Sequence, residues 1–216
     1  QAIVVQKSMP RIDYRLVAAN YINRAIALSY LGRTEQELTA YHQAKSYAIK
    51  SNDVENLASV YANLSDYFLR QKNYSMARQQ AQLCIEVTER IDNVHLSVVC
   101  QINQGLAKMH QGEHTAALEL MHQALEMAQA EQMQSTLVEV YNALAQAYQL
   151  LNDHQSANHW LTQHYQLLLE LAKQDQQDSV SQLAKEFDAR VTQHQQLLSD
   201  VKSDMTHNIL NQARLV

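Results

Sequence analysis

The stretch YANLSDYFLRQKNYSMA at residues 61–77 returns in altered form at a spacing of 40 residues. The corresponding segments are YINRAIALSYLGRTEQE at 21–37, QINQGLAKMHQGEHTAA at 101–117 and YNALAQAYQLLNDHQSA at 141–157. The copies align without insertion or deletion. A fixed period of this length indicates a solenoid, in which each unit buries its apolar face by stacking on its neighbours.

Three positions characterise each copy. The first residue of the aligned segment is Tyr21, Tyr61, Gln101 or Tyr141. The turn residue is Gly32, Lys72, Gly112 or Asn152, and the last residue is Glu37, Ala77, Ala117 or Ala157. Because a methyl group lets two helix axes approach, Ala at the last position predicts a close crossing of the two helices of a unit. Glu37 departs from this pattern, so we expect looser packing in the first unit. Thr34 with Glu37, and Thr136 with Glu139, match the spacing of a capping box at a helix start.

Composition favours an all-α protein. Gly occurs 3 times and Pro once in 216 residues, whereas a sheet protein needs more of both for its turns. Gln, Ala and Leu are abundant, and all three favour helices. We therefore predict a right-handed α-solenoid of antiparallel helix pairs, followed by a long C-terminal helix.

Four complete units are predicted, over residues 15–53, 54–93, 94–133 and 134–173. Residues 1–14 are expected to form the second helix of a preceding unit, because residues 1–9 align with residues 41–49. We therefore expect the natural polypeptide to extend beyond Gln1. Residues 174–216 break the period and are expected to form a helix of their own.

That C-terminal segment contains apolar residues spaced alternately three and four apart, as in the a/d seam of a coiled coil. Two interpretations stay open: a helix that folds back to cap the last unit, or a stalk through which two chains form a homodimer. In the second interpretation the dimerisation seam consists of Phe187, Val191, Leu198, Val201 and Met205.

The units resemble tetratricopeptide repeats. The small and aromatic positions of that family are matched by Ala25, Leu28, Gly32, Tyr41 and Ala44, by Leu64, Ser65, Phe68, Tyr74 and Ala77, by Gly105, Gly112, Ala117 and Ala124, and by Leu144, Ala145, Tyr148 and Ala157. The usual unit has about 34 residues, and the extra residues here lengthen the helices. HEAT or armadillo repeats are the alternative fold. The resemblance implies a binding module that takes a protein or peptide on its concave surface.

A second resemblance concerns the segment from Tyr165 and Leu168 to Leu183, Ala184, Phe187 and Asp188. It is similar to the junction that follows tetratricopeptide sensor regions in bacterial signalling proteins, where a helix leads into a histidine kinase or a GGDEF-type diguanylate cyclase domain. This likeness implies the sensory or regulatory region of a cytoplasmic signalling protein, with the output domain outside these residues. A peptide-pheromone receptor and a structural assembly scaffold are the alternatives.

The predicted groove is lined by the first helix of each unit. Asn23, Asn63 and Asn103 occupy one repeat position, and three stacked amides could hold the backbone of an extended peptide. The other predicted lining residues are Ile22, Ile26, Asp66, Arg70, Ile102, Leu106, Met109, His110, Glu139, Asn142, Gln146 and Gln149. The carboxylate clamp of chaperone-binding members is not reproduced, because residues 94–111 carry Lys108 as their only Lys or Arg.

Several classes of function find no support. The net charge of -5 without a basic stripe argues against nucleic acid, and no apolar run approaches the roughly 20 residues of a membrane span. We find no phosphate-binding glycine loop, nucleophile–base pair or metal-ligand spacing, so we expect no catalysis, metal or cofactor. Cys84 and Cys100 fall on adjacent helices; two buried thiols in a reducing compartment are the simpler interpretation, and a disulfide is the alternative.

Overall fold

The computed structural model describes residues 12–178 together with Ser181 and Lys185. The chain divides into two compact units, residues 1–166 and residues 167–216. In the second unit the described residues are helical. The seam predicted from Phe187 to Met205 and the helix predicted at the start of the chain, up to residue 11, lie outside the described residues and stay predictions.

The first unit is built from helices that pack as successive pairs. They are α1 (Tyr14–Tyr30), α2 (Thr34–Lys50), α3 (Val54–Arg70), α4 (Tyr74–Thr88), α5 (Val94–His110), α6 (His114–Ala130), α7 (Gln134–Leu150) and the helical residues 154–166, here called α8. No strand occurs among the described residues. The first helices of neighbouring repeats also contact one another, α3 with α5 and α5 with α7. The predicted all-α solenoid of helix pairs is confirmed.

Short linkers of nearly constant geometry reverse the chain between helices. One residue in most of these linkers has a left-handed backbone: Gly32, Asn52, Lys72, Gly112, Gln132 and Asn152, with φ between 52° and 85°. The next residue donates its backbone N–H to the carbonyl five residues earlier in the chain, as Asn73 does to Phe68 at 2.9 Å. This is the Schellman motif, which satisfies the last carbonyl groups of a helix. The exception follows α4, which ends at Thr88 and leaves a longer linker.

Asp and Asn side chains cap several helix starts. Asp53 accepts from the backbone N–H of Asn56 at 3.1 Å, and Asn93 accepts from that of Leu96 at 3.0 Å. The two predicted capping boxes are wrong, because α2 and α7 begin without a side-chain cap. Thr136 is instead buried, and its hydroxyl lies 2.8 Å from Nδ1 of His95 on α5.

The two helices of a repeat cross closely where small residues face each other. Ser65 on α3 donates through Oγ to the carbonyl of Ala77 on α4 at 2.8 Å. In the next repeat Gly105 holds the position of Ser65, and a Cβ added there would lie 2.9 Å from Cγ of Met121 and 3.1 Å from the carbonyl oxygen of Ala117. The close crossing predicted from the repeated Ala is confirmed.

The first repeat is closed in a different way. Glu37, at the position held elsewhere by Ala, is 1% exposed, and its carboxylate accepts from the guanidinium of Arg70 on α3. The loosening expected around Glu37 is therefore not observed. Because the cation comes from the following repeat, the ion pair joins two repeats as well as filling the crossing.

Cys84 on α4 and Cys100 on α5 form a disulfide across the longer linker. Their Cα atoms lie 5.8 Å apart, and both residues are fully buried. This separation falls within the range that disulfides require. The predicted burial is confirmed, but the preference for two free thiols is corrected, because the adjacent helices bring the two sulfur atoms into contact.

Candidate binding groove

An open groove crosses the first helices of successive repeats. It has a volume of about 1100 Å³ and is lined by side chains of α1, α3, α5 and α7, with Tyr41 contributed by α2. The helices are parallel within this layer because each is separated from the next by an antiparallel partner. A cleft between α4 and α6, which Gln104 of α5 also lines, is smaller, about 330 Å³.

Most of the residues predicted for the groove do line it: Ile22, Ile26, Asn63, Asp66, Arg70, Ile102, Asn103, Leu106, His110, Glu139, Asn142 and Gln146. Asn23, Gln149 and Met109 do not line it. Asn23 and Gln149 are exposed elsewhere on their helices, while Met109 is 2% exposed and packs in the core. Since one residue turns the helix by about 100°, a shift of one position is enough to move a side chain off the groove.

The Asn residues make hydrogen bonds within the fold. Asn103 donates through Nδ2 to the carbonyl of Ala62 on α3, 3.1 Å away and one repeat earlier. Asn63 donates to the carbonyl of Ser59 at 2.7 Å and accepts from the hydroxyl of Tyr41 at 3.3 Å. Part of each amide is therefore used to hold helices together, and the uniform amide ladder across three repeats is not formed.

The floor of the groove is aliphatic. It consists of Ile22 and Ile26 on α1 together with Leu96, Val99, Ile102 and Leu106 on α5. Leu96 and Val99 were missed by sequence reasoning, although their spacing of three residues, continued by Ile102 and Leu106, is a helical one. An apolar strip of this kind can bury the side chains of a bound polypeptide.

Carboxylates dominate the charged groups of the groove. Glu55 on α3, Asp66 on α3 and Glu139 on α7 line it, and Arg70 is the one Lys or Arg among the described lining residues. Arg70 is already engaged, because it donates to Asp66 at 2.9 Å as well as to the buried Glu37. These carboxylates and the aliphatic floor occupy the same surface.

Glu139 and His110, which both line the groove, have shifted pKa values. The Glu139 side chain is exposed, yet the protein atoms around it partly shield its carboxyl from water and raise its pKa; the nearby negative charge of Asp66 also raises the pKa, while His95 lowers it. Burial lowers the pKa of His110, as does the positive charge of Lys72. The His110 ring stacks on Tyr74 with the ring centres 4.1 Å apart. His110 therefore tends to stay uncharged, and Glu139 holds its proton more strongly than an ordinary glutamate.

The described residues contain no cluster of three or more His, Cys, Asp or Glu side chains with the geometry of a metal site. In the same part of the chain, none of the helices combines the length and apolarity that crossing a bilayer requires.

Comparison with known proteins identifies the repeat family. Tetratricopeptide-repeat family models match residues 57–91 and residues 99–170. No curated protein sequence matches the chain. The chain contains tetratricopeptide repeats, here with a period of 40 residues.

Solved structures share the fold at low sequence identity. BtubC (BKLC) from P. vanneervenii has a TM-score of 0.60 at 17% identity, over 77% of this chain and 68% of its own. Aspartyl phosphate phosphatase F from Bacillus subtilis has a TM-score of 0.62 at 16% identity, over 74% of this chain and 42% of its own.

A third structure is a Signal Transduction ATPase with Numerous Domains (STAND) protein with a tetratricopeptide repeat sensor, from Pyrococcus horikoshii. Its TM-score is 0.59 at 20% identity, over 81% of this chain. The present chain spans only 27% of that protein and 42% of the phosphatase. At these identities the likeness establishes the fold, and the activities of the longer proteins are not transferred.

Proposed function

We propose that the chain is a non-catalytic binding module whose groove holds a segment of a partner protein. The observation that carries the proposal is the continuous strip of aliphatic and polar side chains across α1, α3, α5 and α7. Such a strip is long and open, which suits a polypeptide better than a compact metabolite. Tetratricopeptide repeats in general serve as protein-interaction modules, which supports the same conclusion.

We further propose that the module is the sensory or regulatory region of a signalling protein. Two of the structures that share its fold support this: a phosphatase that acts on aspartyl phosphate and a signal-transduction ATPase whose repeats are a sensor. The sequence resemblance of the segment around Tyr165 and Leu168 to sensor–output junctions points in the same direction. Binding in the groove would then change the state of an output domain.

Site-specific photocrosslinking tests the groove. A photoreactive amino acid at Leu106, on the floor, is expected to capture a partner protein in cells of the source organism. The matched control places it at Gln79, an exposed residue of the second-helix surface. Capture at Leu106 but not at Gln79, abolished by Ile102→Glu in a protein that still folds, supports the proposal. Equal capture at both positions, or at Gln79 alone, rejects it.

Homodimerisation through Phe187, Val191, Leu198, Val201 and Met205 is a separate proposal, supported by their heptad spacing in the sequence. Light scattering on the full chain and on a chain ending before residue 186 measures it. The proposal requires a dimer that becomes a monomer on truncation, and a monomer in both cases rejects it.

A further inference from the structure

The charge of the groove restricts what can bind there. Glu55, Asp66 and Glu139 line it, against the single guanidinium of Arg70. That guanidinium forms ion pairs with both Glu37 and Asp66. Its single positive charge is therefore already shared between two carboxylates. Because three carboxylates face one guanidinium among the described lining residues, the surface that faces a bound segment carries excess negative charge.

Glu139 is the carboxylate that α7 contributes to the groove. None of the ion pairs among the described residues includes it. The neighbouring His95 has its Nδ1 atom hydrogen-bonded to the hydroxyl of Thr136, 2.8 Å away. Asp66 on α3 adds a second negative charge near enough to disfavour ionisation of Glu139. A positive charge placed between these two carboxylates would interact favourably with both of them, in a groove that partly excludes water.

The apolar floor passes next to this acidic site. Ile102 and Leu106 lie on α5, between the helix that carries Asp66 and the helix that carries Glu139. A segment that places a cation between the carboxylates therefore has its neighbouring side chains over an aliphatic surface. An acidic segment or a nucleic-acid backbone would bring like charge against Asp66 and Glu139, which costs binding free energy.

We infer that the groove selects a basic amphipathic segment of a partner protein, which places a Lys or Arg side chain between Asp66 and Glu139 and its apolar side chains on Ile102 and Leu106. This inference rests on the proposed function of the groove and names the chemistry of the partner. The carboxylates supply specificity and salt dependence, and the aliphatic floor supplies buried area.

The experiment selects binders from a random peptide library displayed on phage, using the folded chain as bait. Peptides rich in Lys or Arg with interspersed apolar residues are the expected product. Their affinity, measured as synthetic peptides by fluorescence anisotropy, should fall about tenfold with Glu139→Gln and again with Asp66→Asn. It should also fall as salt rises. The matched control is Glu126→Gln, which removes a carboxylate from the surface of α6 outside the groove.

Several outcomes separate this inference from the proposed function. Neutral or acidic peptides that lose affinity with Leu106→Glu, but are unaffected by the carboxylate variants, overturn the basic partner and leave the binding groove standing. Basic peptides that respond to Glu126→Gln as strongly as to Glu139→Gln bind by net charge alone, which also overturns the inference. Selected peptides whose affinity no groove substitution changes, together with no capture by the crosslinker at Leu106, reject both.

Discussion

The guanidinium of Arg70 on α3 donates to the carboxylate of Glu37, which lies buried on α2 in the preceding repeat. The same guanidinium contacts Asp66 at the edge of the groove, 2.9 Å away. One side chain therefore links the closing of the helix pair, the stacking of two repeats and the charge of the binding surface.

Removing this cation should destabilise the protein. Arg70→Met leaves the buried carboxylate of Glu37 without a partner, which we expect to cost about 3 kcal/mol of unfolding free energy in urea titrations. Adding Glu37→Ala restores the residue that the other repeats use and should recover most of the loss. The control is Arg78→Met, because its ion pair with Glu113 is about 40% exposed on both sides and should contribute much less. Equal effects of the two Arg substitutions would contradict the buried role of Glu37.

The close crossing of α5 and α6 should not tolerate a larger side chain. Gly105→Val places methyl groups against Met121 and the carbonyl of Ala117, so we expect a loss of about 1–3 kcal/mol in unfolding free energy. Met121→Ala in the same protein makes room for the new side chain. If the space is the cause, the double variant loses less than the sum of the two single substitutions; strict additivity would rule that cause out.

Glycine in the left-handed turn positions should stabilise the fold. Lys72 has φ of 58°, a conformation that costs a residue with a Cβ but not glycine. We expect Lys72→Gly to raise the unfolding free energy by about 0.5 kcal/mol, after the greater flexibility of glycine in the unfolded chain is subtracted. Gln71→Gly is the control, since Gln71 has φ of −79° and gains nothing. If Gln71→Gly raised the unfolding free energy, or Lys72→Gly did not, the left-handed backbone conformation at Lys72 would not be what limits the stability of this turn.

Oxidation should be measurable at the junction of α4 and α5. Cys84 and Cys100 are separated by 16 residues in the sequence. A disulfide that closes a loop of this length typically adds about 3 kcal/mol to the unfolding free energy. Intact mass before and after reduction is expected to differ by two hydrogen atoms, and the melting temperature to fall on reduction. Cys100→Ala should melt at the same temperature in both conditions. Two thiols in the untreated protein that resist mild oxidation would show that the pair is not a disulfide.

The pKa of Glu139 is expected to lie above that of an ordinary glutamate, because partial desolvation by the surrounding protein atoms and the charge of Asp66 both disfavour its charged form. A carboxyl group with a raised pKa in the folded state favours folding most when it is protonated. Its contribution is complete below the unfolded pKa and is lost as pH rises through the folded value. Unfolding free energies of Glu139→Gln and the unmodified chain should therefore converge at low pH.

Above the folded pKa, the Gln variant should be the more stable of the two. NMR titration of the Glu139 carboxyl measures the pKa itself. A value at or below that of a glutamate in an unfolded peptide would contradict the desolvation of this site. Asp66→Asn should bring the pKa of Glu139 down, because it removes the neighbouring negative charge.

The sequence alone determined the repeat and its consequences. The 40-residue spacing, the helix formers and the repeated Ala predicted helix pairs, their close crossings and the helices that line the groove, because these follow from local periodicity. The first helices of the repeats begin at Tyr14, Val54, Val94 and Gln134, which is the 40-residue spacing of the sequence. The capping boxes failed because their spacing also fits residues inside a helix.

Only the tertiary structure decided which side chains form ion pairs and hydrogen bonds between repeats. Glu37 reads in the sequence as a packing defect, yet it is buried against Arg70, 33 residues later. The sequence predicted that Asn63 and Asn103 contact a ligand, yet their amides donate hydrogen bonds to backbone carbonyls of the repeats. Met109 was predicted to line the groove, yet it is buried in the core. These partners depend on how far one helix pair is rotated and translated against the next. A residue pattern fixes the face of a helix, whereas the contacts between faces arise only when the repeats are stacked in three dimensions.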